Sequence, residues 1–471
     1  MRSKLQQAGL VLIGILAGIL ISVNYSAVAE KTSPAPLPVD ELRTFADVFG
    51  AIKQDYVEPI DDKTLITYAI SGMLSNLDPH SAYLDADAFK DLEVSTQGEF
   101  GGLGIEVGME DGFVKVISPI EDTPAYRAGV KAGDLIIKLD ETPVKGMSLS
   151  DAVKRMRGKP KTTIKLTIAR KGEAKPIEIS VMRDKIKVQS VKAKMIEPGY
   201  GYLRVTQFQE ETAPDVVKQL EKMYKDKDGK PTPLKGLVLD LRNDPGGLLH
   251  GAVGVAAAFL QPNALVVSTD GRTEDANRKY LASSEDYLRG RQGDFLQNLP
   301  AGAKTVPLIV LVNGGSASAS EIVAGALQDH KRGIIMGTQT FGKGSVQTVL
   351  PLPNNTAVKL TTARYYTPSG RSIQAKGITP DVVVEESPNG AEPHDRIREA
   401  DLERHLTNDQ DKAASKEAAP VKAQSKKGKG GKDEEEDEES TPAAFEFASK
   451  SDYQLSQAVN LLKAWQVIGH R

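Results

Sequence analysis

The chain has 471 residues, of which 40% are hydrophobic, and its 60 basic and 63 acidic residues give a formal net charge of -3 at pH 7. This length predicts about three domain-sized units, and the balanced charge argues against a basic surface, so no nucleic acid partner is expected. The absence of cysteine excludes disulfides, thiolate metal sites and cysteine nucleophiles.

The N-terminal segment has the features of a secretory signal. Arg2 and Lys4 precede an apolar run over residues 9–23, and small residues suited to cleavage end at Ala29. The alternative is an uncleaved anchor, but about 15 apolar residues fall short of the roughly 20 that span a bilayer. We therefore expect residues 1–29 to be a signal peptide, cleaved or retained as an anchor, and the protein to be extracytoplasmic, with the periplasm favoured.

The next three segments predict a linker, a helical region and a compact unit of strands. Residues 30–39 are rich in proline, and residues 40–97 contain apolar residues at helical spacing. Residues 98–184 consist of short, glycine-punctuated strands and one helix capped by Ser148. The apolar stripe of the first predicted helix suggests core or subunit contacts. It consists of Leu42, Phe45, Val48, Phe49 and Ile52.

Residues 185–386 predict a layered α/β domain, because apolar strands alternate with helical patterns. Leu308–Val312 is apolar on both faces, as expected for a strand that is covered on both sides. Residues 387–445 are highly charged and low in complexity, which predicts disorder. Residues 446–471 contain an amphipathic helix that should dock on another surface. Its apolar side consists of Leu455, Val459, Leu462 and Trp465.

The candidate nucleophiles are serines at a turn between a buried strand and a helix. The stretch NGGSASASEIVAGAL, residues 313–327, places Ser316, Ser318 and Ser320 there, where small residues allow a sharp bend. An ordinary serine-capped helix is the alternative. A serine nucleophile needs a base, but His330 ends the same helix, about 18 Å away by helical rise, and no G-x-S-x-G motif is present. A Ser-His-Asp triad is therefore poorly supported.

Lys343 is the remaining candidate for the base. It lies between Gly342 and Gly344 in GTQTFGKGSVQ, residues 337–347, one residue away from a phosphate-binding loop. Because Gly344 replaces the magnesium-binding hydroxyl, nucleotide binding is disfavoured. A lysine base near pH 7 needs its pKa lowered from about 10.4, and burial in an apolar pocket lowers it. Gln347 is placed to hydrogen-bond the amine.

Acyl transfer also needs hydrogen-bond donors for the oxyanion that develops on the substrate. The stretch LDLRNDPGGLL, residues 239–249, places Gly246 and Gly247 at a strand-to-helix junction, where free N–H groups and the helix dipole favour negative charge. On its own, such a turn is more often structural. Its meaning depends on the serine and lysine segments.

Four stretches taken together resemble the C-terminal processing, or tail-specific, peptidases of serine peptidase family S41. They are NGGSASASEIVAGAL, GTQTFGKGSVQTV, GLVLDLRNDPGGLL and GITPDVVV. The resemblance covers residues 40–385 and the last helix. It implies an α/β fold with a crotonase-like layered core, and an extracytoplasmic serine endopeptidase that cleaves protein C-terminal tails. It implies no metal and no organic cofactor.

The resemblance also assigns roles to single residues. Ser318 would be the nucleophile, Lys343 the general base and Gln347 the residue that orients the lysine. The oxyanion hole would use the backbone N–H of Ala319 and one N–H of the glycine pair Gly246 and Gly247. The sequence leaves the choice between the two glycines open.

The same resemblance identifies residues 98–184 as a PDZ domain and residues 185–386 as the peptidase domain. GGLGI, residues 101–105, is similar to the loop with which PDZ domains hold a terminal carboxylate through successive backbone N–H groups. In the family this domain recognises tails and can also gate the active site. The residues of the loop are Gly102, Leu103, Gly104 and Ile105.

The implied partners are proteins with exposed C-termini, such as envelope proteins and cell-wall hydrolases. Some relatives also depend on an adaptor lipoprotein, and relatives commonly form homo-oligomers. A different class of function is a catalytically inactive PDZ scaffold or chaperone of the cell envelope. The coexistence of Ser318, Lys343 and Gln347 favours the enzyme, because a degenerate scaffold is expected to have lost them.

Overall fold

The chain divides into two compact units, Met1–Ala69 and Ile70–Arg471, each of which is described by itself. Within the described ranges, no helix combines the length and the apolar character needed to cross a membrane. The predicted signal segment and most of the charged stretch lie outside these ranges. The computed structural model describes residues 37–120, 122–290, 293–388, 397–411, 447–449 and 451–469.

The first unit contains helix α1, Val39–Asp55, and the beginning of α2, Asp62–Ser75. Acidic residues in the first turn of α1 and a lysine in its last turn complement the helix dipole. The predicted apolar stripe lies on α1, but no residue of this helix is buried in the part of the chain that the structure describes. Leu42, Phe45 and Val48 are each about half exposed. The stripe is therefore largely uncovered.

A short region leads from α2 into the predicted PDZ domain. It consists of β1, Ala82–Leu84, α3, Ala86–Gln97, and β2, Glu99–Gly102. The side chain of Asp85 caps α3 by accepting a hydrogen bond from the Ala88 N–H at 2.8 Å. β2 pairs with β9, Asp184–Lys187, so this ribbon joins the two ends of the PDZ region.

The PDZ region is built on an antiparallel sheet in the order β3, β4, β5, β7 and β8, with β6 paired to β5. The strands are β3 Ile105–Glu110, β4 Phe113–Pro119, β5 Leu135–Leu139, β6 Thr142–Pro143, β7 Thr163–Ala169 and β8 Ile177–Met182. The helices are α4 Pro124–Arg127 and α5 Leu149–Met156. As predicted, Ser148 caps α5, since its side chain accepts from the Asp151 N–H at 3.1 Å.

The peptidase region is built on a mostly parallel sheet in the order β10, β11, β12, β15, β16 and β19. Its strands are β10 Val191–Glu197, β11 Tyr200–Val205, β12 Gly236–Asp240, β15 Leu308–Val312, β16 Ile334–Gly337 and β19 Val382–Val383. Only β10 runs antiparallel to its neighbour within this described sheet. Every residue of β15 is buried, which confirms the prediction of a strand covered on both faces.

A second, antiparallel sheet carries part of the candidate site. Its long strand β18, Thr356–Tyr366, pairs with β17, Ser345–Leu352, and with β13, Leu265–Gly271. β14, Arg278–Leu281, pairs with β13 and leads to α8, Ser284–Tyr287. β1 also pairs with β18. The segment before the PDZ region therefore lies beside the strands that follow Lys343.

Helices cover both faces of the parallel sheet, as the α/β pattern predicts. One face packs on α6, Thr212–Met223, α7, Leu249–Ala257, and α9, Ala319–Asp329. The other face packs on the terminal helix α10, Tyr453–Gly469. Three residues of the predicted docking side are buried, whereas Trp465 remains 39% exposed. The buried residues are Leu455, Val459 and Leu462.

Residues 397–411, here called the strap, pack on the peptidase region, although the sequence predicted disorder for all of 387–445. Glu399 is fully buried, and the Asn408 amide donates hydrogen bonds to two backbone carbonyls of the peptidase region. Composition was misleading because a few polar side chains with specific partners order this segment. Apart from residues 387 and 388, the remainder of the predicted disordered stretch lies outside the described residues.

Candidate active site

The serine-bearing turn joins β15 to α9. Small residues after Val312 let the chain bend sharply before the helix begins at Ala319. Ser318, the residue before the helix, has a φ of 53°, which is uncommon outside glycine and marks a strained turn held by its surroundings. Its N–H donates to Oε2 of Glu321 at 2.8 Å. The turn places the Ser318 side chain on the wall of a cavity.

The other two serines of this turn serve the structure. Ser316 and Ser320 are fully buried. The Ser316 hydroxyl donates to the carbonyl of Leu241 at 2.8 Å, and the Ser320 hydroxyl donates to the carbonyl of Asp244 at 3.0 Å. Of the three serines, only Ser318 lines the cavity. The structure thus separates candidates that the pattern of small residues left together.

Lys343 reaches the same cavity from the loop between β16 and β17. Its amine donates a hydrogen bond to Oε1 of Gln347, so the structure brings the predicted lysine and glutamine together. The Gln347 amide nitrogen donates to Oγ of Ser345 at 3.0 Å and to Oγ1 of Thr361 at 3.3 Å. These contacts orient the amide with its oxygen towards the amine.

The surroundings of the Lys343 amine favour its neutral form. Burial lowers the pKa of Lys343 to about 8, and the positive charge of Lys359 acts in the same direction. The carboxylates of Glu399, Glu321 and Asp78 oppose this shift. About a tenth of the amine is therefore unprotonated at pH 7, a far larger share than an ordinary lysine provides.

Glu321, in the first turn of α9, connects the serine and lysine segments. Its carboxylate is fully buried and accepts hydrogen bonds from both. Burial raises the pKa of Glu321 to about 7, and the hydrogen bonds oppose that rise. One side chain therefore holds the backbones of Ser318 and Lys343 together. The donors are Thr340 Oγ1 at 2.6 Å, Gly342 N at 2.7 Å, Ser318 N at 2.8 Å and Lys343 N at 2.9 Å.

The glycine turn after β12 approaches the serine turn closely. A Cβ atom on Gly246 would lie 2.8 Å from the Ser318 Cβ and 2.9 Å from the Ala319 nitrogen, and the φ of Gly246 is 99°, so only glycine is accommodated. The Gly246 N–H donates to Oδ1 of Asp244 at 2.8 Å. Among the described residues, the N–H groups of Gly247 and Ala319 have no acceptor. Both are available to a substrate oxygen.

The cavity that these residues share has a volume of about 560 Å³. Much of its remaining wall is apolar and comes from α3, the glycine turn, α7, α9 and β17. Such a cavity suits an apolar side chain of a bound peptide beside Ser318. The apolar wall residues include Phe89, Leu92, Leu248, Leu249, Ile322, Val346 and Val349.

The predicted carboxylate-binding loop lines a second, smaller cavity of about 120 Å³ in the PDZ region. Gly102, Leu103, Gly104 and Ile105 all line it, together with residues of α5. Within the described chain, no group accepts the N–H of Leu103 or Gly104. The loop therefore offers free donors at the end of a groove between a strand and a helix, which suits a terminal carboxylate.

Comparisons with known proteins agree with the resemblance seen in the sequence. The family models match Peptidase family S41 over residues 199–384, a PDZ domain over 101–181 and the Activating protease CtpB N-terminal domain over 21–88. A carboxy-terminal-processing protease of Bartonella bacilliformis is 46% identical over 455 residues, which cover 95% of this chain and 94% of that protein. The chain belongs to the carboxy-terminal processing protease family.

A more distant relative points the same way. The carboxy-terminal processing protease CtpA of Bacillus subtilis is 34% identical over 369 residues, or 78% of this chain and 73% of that protein. Among solved structures, a photosystem II D1 C-terminal processing protease is 32% identical, covers 72% of this chain and 86% of that chain, and has a TM-score of 0.39. The predicted α/β fold with a PDZ domain and the predicted serine-type peptidase class are confirmed.

Sequence reasoning missed two side chains at the site of this protease. Glu321 follows Ser318 at the Ser-x-x-Glu spacing of a capping box, and that signal could have pointed to it. Tyr365 is almost fully buried, and its hydroxyl donates to the backbone carbonyl of Lys343. Burial raises the pKa of Tyr365 well above its usual value, so its hydroxyl stays protonated. No local pattern in the sequence marks this tyrosine.

Proposed function

We propose that this C-terminal processing protease cleaves its substrates through an acyl-enzyme, with Ser318 as the nucleophile and Lys343 as the general base. The observation that carries the proposal is a shared cavity. Ser318 lines it, and so does the Lys343 amine, whose pKa burial lowers to about 8. Gln347 orients that amine, and Glu321 ties the two segments together.

In the first step, the neutral Lys343 amine takes the hydroxyl proton of Ser318 while Oγ attacks the scissile carbonyl carbon. The N–H groups of Ala319 and Gly247 stabilise the oxyanion; Gly247 is the preferred glycine because the Gly246 N–H is already engaged within its own turn. The lysine then gives the proton to the leaving amine. Water, deprotonated by the same amine, hydrolyses the acyl-enzyme and restores the serine.

The direct test replaces Ser318 and Lys343 separately by alanine and follows cleavage of an unstructured protein such as casein. Each variant should lose kcat by on the order of 10⁴-fold or more, and the double variant should lose no more than either single one, because the two residues act as a unit. Ser180→Ala and Lys279→Ala change exposed residues elsewhere and should retain full turnover. Near-normal turnover in either site variant would refute these roles.

The same experiment separates the enzyme from the alternative scaffold. A PDZ chaperone of the cell envelope would bind unfolded chains but would show no turnover in the unmodified protein. The paired Lys343 and Gln347 side chains in a cavity with Ser318 favour catalysis, because a scaffold does not need an amine held near its neutral form. Absence of any casein cleavage under all conditions would favour the scaffold.

We propose that the PDZ region captures the C-terminal carboxylate of the substrate. The free N–H groups of Leu103 and Gly104 at the small cavity support this. The test compares two peptides that differ only at the C-terminus, one a free acid and one an amide. Amidation should raise KM about tenfold, a loss of about 1.4 kcal/mol in binding, with little change in kcat. Equal KM values would contradict this role.

Gating of the active site by the PDZ region is a further part of the proposal. Arg157 of the PDZ cavity pairs with Asp91 of α3 at 2.7 Å, while Phe89 and Leu92 of the same helix line the active-site cavity. A ligand in the PDZ groove could thus influence the active site through α3. An uncleavable peptide with a free C-terminus should then change kcat on the amidated substrate. An unchanged kcat at saturating peptide would contradict gating.

We propose an extracytoplasmic location, in the periplasm, on the basis of the charged and apolar N-terminal segment. Envelope proteins with exposed C-termini, including cell-wall hydrolases, are the proposed substrates, with or without an adaptor lipoprotein. Fractionation followed by mass spectrometry of the N-terminus should find the protein outside the cytoplasm. A mature chain that starts at Glu30 would show cleavage, whereas an intact N-terminus in the membrane fraction would show anchoring.

The exposed apolar stripe on α1 supports a homo-oligomer. Leu42, Phe45 and Val48 are about half exposed on one amphipathic helix, and such a patch is often an interface. Sedimentation of the unmodified protein should show a species larger than a monomer. Replacing Leu42 and Phe45 together by glutamate should yield monomers. A monomeric unmodified protein would contradict the assembly.

A further inference from the structure

The turn formed by residues 78–81 lies outside the predicted peptidase domain but is linked to Lys343 by a chain of hydrogen bonds. Its sequence is Asp-Pro-His-Ser, and it directly precedes β1. β1 pairs antiparallel with β18, with Ala82 opposite Lys359. This pairing places the turn beside Thr361, two residues further along β18.

Asp78 anchors this turn. It is only 4% exposed, and its Oδ1 accepts hydrogen bonds from the N–H groups of His80 at 2.9 Å and Ser81 at 3.0 Å. Its Oδ2 accepts from the Ser81 hydroxyl at 2.7 Å. The Ser81 oxygen in turn accepts from the backbone N–H of Thr361 at 3.1 Å. The carboxylate is therefore held rigidly against β18.

Thr361 links Asp78 to the support of the lysine. Its hydroxyl lies 3.0 Å from Oδ1 of Asp78 and 3.3 Å from the amide nitrogen of Gln347. The pKa of Asp78 is lowered by its hydrogen bonds with Ser81, His80 and Thr361, although burial opposes this, so the carboxylate is ionised and can only accept. The single hydroxyl proton of Thr361 must then point to Asp78, and its lone pairs face the amide.

That direction, together with the Ser345 Oγ that accepts from the same amide nitrogen at 3.0 Å, sets which end of the Gln347 amide faces the lysine. With its NH₂ group donating to Thr361, the amide presents its oxygen to Lys343, and the amine donates to it. A neutral amine has two protons and one lone pair, so donating one proton to Gln347 leaves the lone pair for the Ser318 hydroxyl. A reversed amide would donate to that lone pair and occupy it.

We propose that Asp78 is a positioning residue that acts through Thr361 to hold the Gln347 amide in the orientation that leaves the Lys343 lone pair free. The proposal rests on the proposed function of Lys343 as the general base. Asp78 itself touches neither the lysine amine nor the serine through a hydrogen bond of the described structure. Its effect is transmitted by the threonine hydroxyl and the glutamine amide.

A second chain of hydrogen bonds runs from the same turn to the backbone next to Lys343. Nε2 of His80 bonds to Oε2 of Glu399 in the strap at 2.8 Å. Oε1 of Glu399 accepts from the Gln374 amide at 2.8 Å, and the Gln374 oxygen accepts from the N–H of Gly344 at 2.9 Å. The turn thus braces both the side chain and the backbone of the lysine segment, which supports its role as a common anchor.

Asp78 also contributes a charge effect with a definite sign. Lys359 on β18 lowers the pKa of Lys343, whereas Glu399 in the strap, Glu321 on α9 and Asp78 raise it. Removing the Asp78 charge should therefore lower the pKa of Lys343 and move the acidic limb of the kcat/KM profile to lower pH. A residue that merely stabilises the fold would not move this limb.

The experiment compares Asp78→Asn, Asp78→Ala and Thr361→Val with the unmodified protein, using casein cleavage over a range of pH. Asp78→Asn keeps an acceptor for Thr361, so it should shift the acidic limb to lower pH with only a small loss of kcat. Asp78→Ala and Thr361→Val should each lower kcat by on the order of 10²-fold through misorientation of the base. The Asp78→Ala, Thr361→Val double variant should lose no more than either single variant, because both act on one chain of hydrogen bonds.

Asp286→Ala is the matched control. Asp286 is 5% exposed and accepts from the Leu281 N–H at 2.7 Å, so its loss should lower stability in urea without changing kcat or the pH profile. If circular dichroism shows that Asp78→Ala is unfolded, the proposal is tested with Thr361→Val and Asp78→Asn instead. Any one of three results would overturn the proposal. They are additive losses of kcat in the double variant, a normal kcat in Thr361→Val, and an acidic limb of the pH profile that does not move in Asp78→Asn.

Failure of this proposal is distinguishable from failure of the catalytic assignment. Turnover in Lys343→Ala would show that Lys343 is not the general base. An inactive Lys343→Ala together with fully active Asp78→Ala and Thr361→Val would leave the lysine as the base and exclude only its positioning by Asp78.

Discussion

The serine turn and the lysine loop are held in place by different means. Ser318 is fixed mainly by the backbone: its own positive φ, the close approach of Gly246 and the buried neighbouring serines shape the turn. Lys343 is held by side chains from α9, β17, the strap and the turn at residues 78–81. The proposed nucleophile is therefore sensitive to space around the main chain, whereas the proposed base is sensitive to distant polar groups.

This difference bears on how each group can be tuned. The position of the Ser318 hydroxyl is set by the backbone of its turn. A Cβ atom added to a closely packed neighbour would therefore displace the turn and the hydroxyl with it. The protonation and direction of a lysine amine depend on charges and hydrogen bonds that need not touch the substrate. We therefore expect mutations near Ser318 to act sterically and mutations near Lys343 to change the pH dependence.

Among changes outside the proposed Ser318 and Lys343 pair, the largest effect is expected for Gly246→Ala. The new Cβ would lie 2.8 Å from both the Ala317 oxygen and the Ser318 Cβ, so the serine turn and the N–H groups proposed as oxyanion donors must move. We expect kcat to fall by about 10³-fold. Gly229→Ala is the control, since this glycine also has positive φ, 77°, but nothing lies within 4 Å of its Cβ position. That variant should keep its activity; near-normal kcat in Gly246→Ala would contradict the steric role.

Glu321→Ala should have the next largest effect, because it leaves the N–H donors of the serine turn and of the lysine loop without their acceptor. We expect the free energy of unfolding in urea to fall by about 3 kcal/mol and kcat to fall by about 10²-fold. Glu321→Gln retains the shape and one acceptor oxygen, so its losses should be intermediate. If Glu321→Ala lost stability but kept kcat, the carboxylate would not position the two segments.

The smallest effect is expected for Tyr366→Phe, which removes a contact between β18 and the strap. The Tyr366 hydroxyl donates to Oδ2 of Asp409 at 2.7 Å and does not line the active-site cavity. Urea unfolding should show a loss of about 1 kcal/mol with kcat and the pH profile unchanged. A marked fall in kcat would mean that the outer contacts of the strap, and not only Glu399, control the lysine loop.

The same difference explains what the sequence could predict. The buried strand, the serine turn and the glycine turn are encoded by local sequence patterns. These patterns are sufficient to predict the strand, both turns and the approximate place of Ser318. Glu321 was within reach through its spacing from that serine. The strap was misjudged because average composition conceals single residues such as Glu399. The pairing of Asp78 with Thr361 could not be read from the chain, because it depends on β1 docking against β18.

The most direct test of a neutral lysine base is the pH dependence of kcat/KM in the unmodified protein. Because burial lowers the pKa of Lys343 to about 8, kcat/KM should rise about tenfold per pH unit on the acidic side and level off near pH 8. Below that pKa the amine is protonated and cannot accept the Ser318 proton. An apparent pKa near 6.5 for the rise in kcat/KM would be typical of a histidine base. A kcat/KM that continues to rise to about pH 10.4 would be typical of an unperturbed lysine. Either result would contradict the assignment.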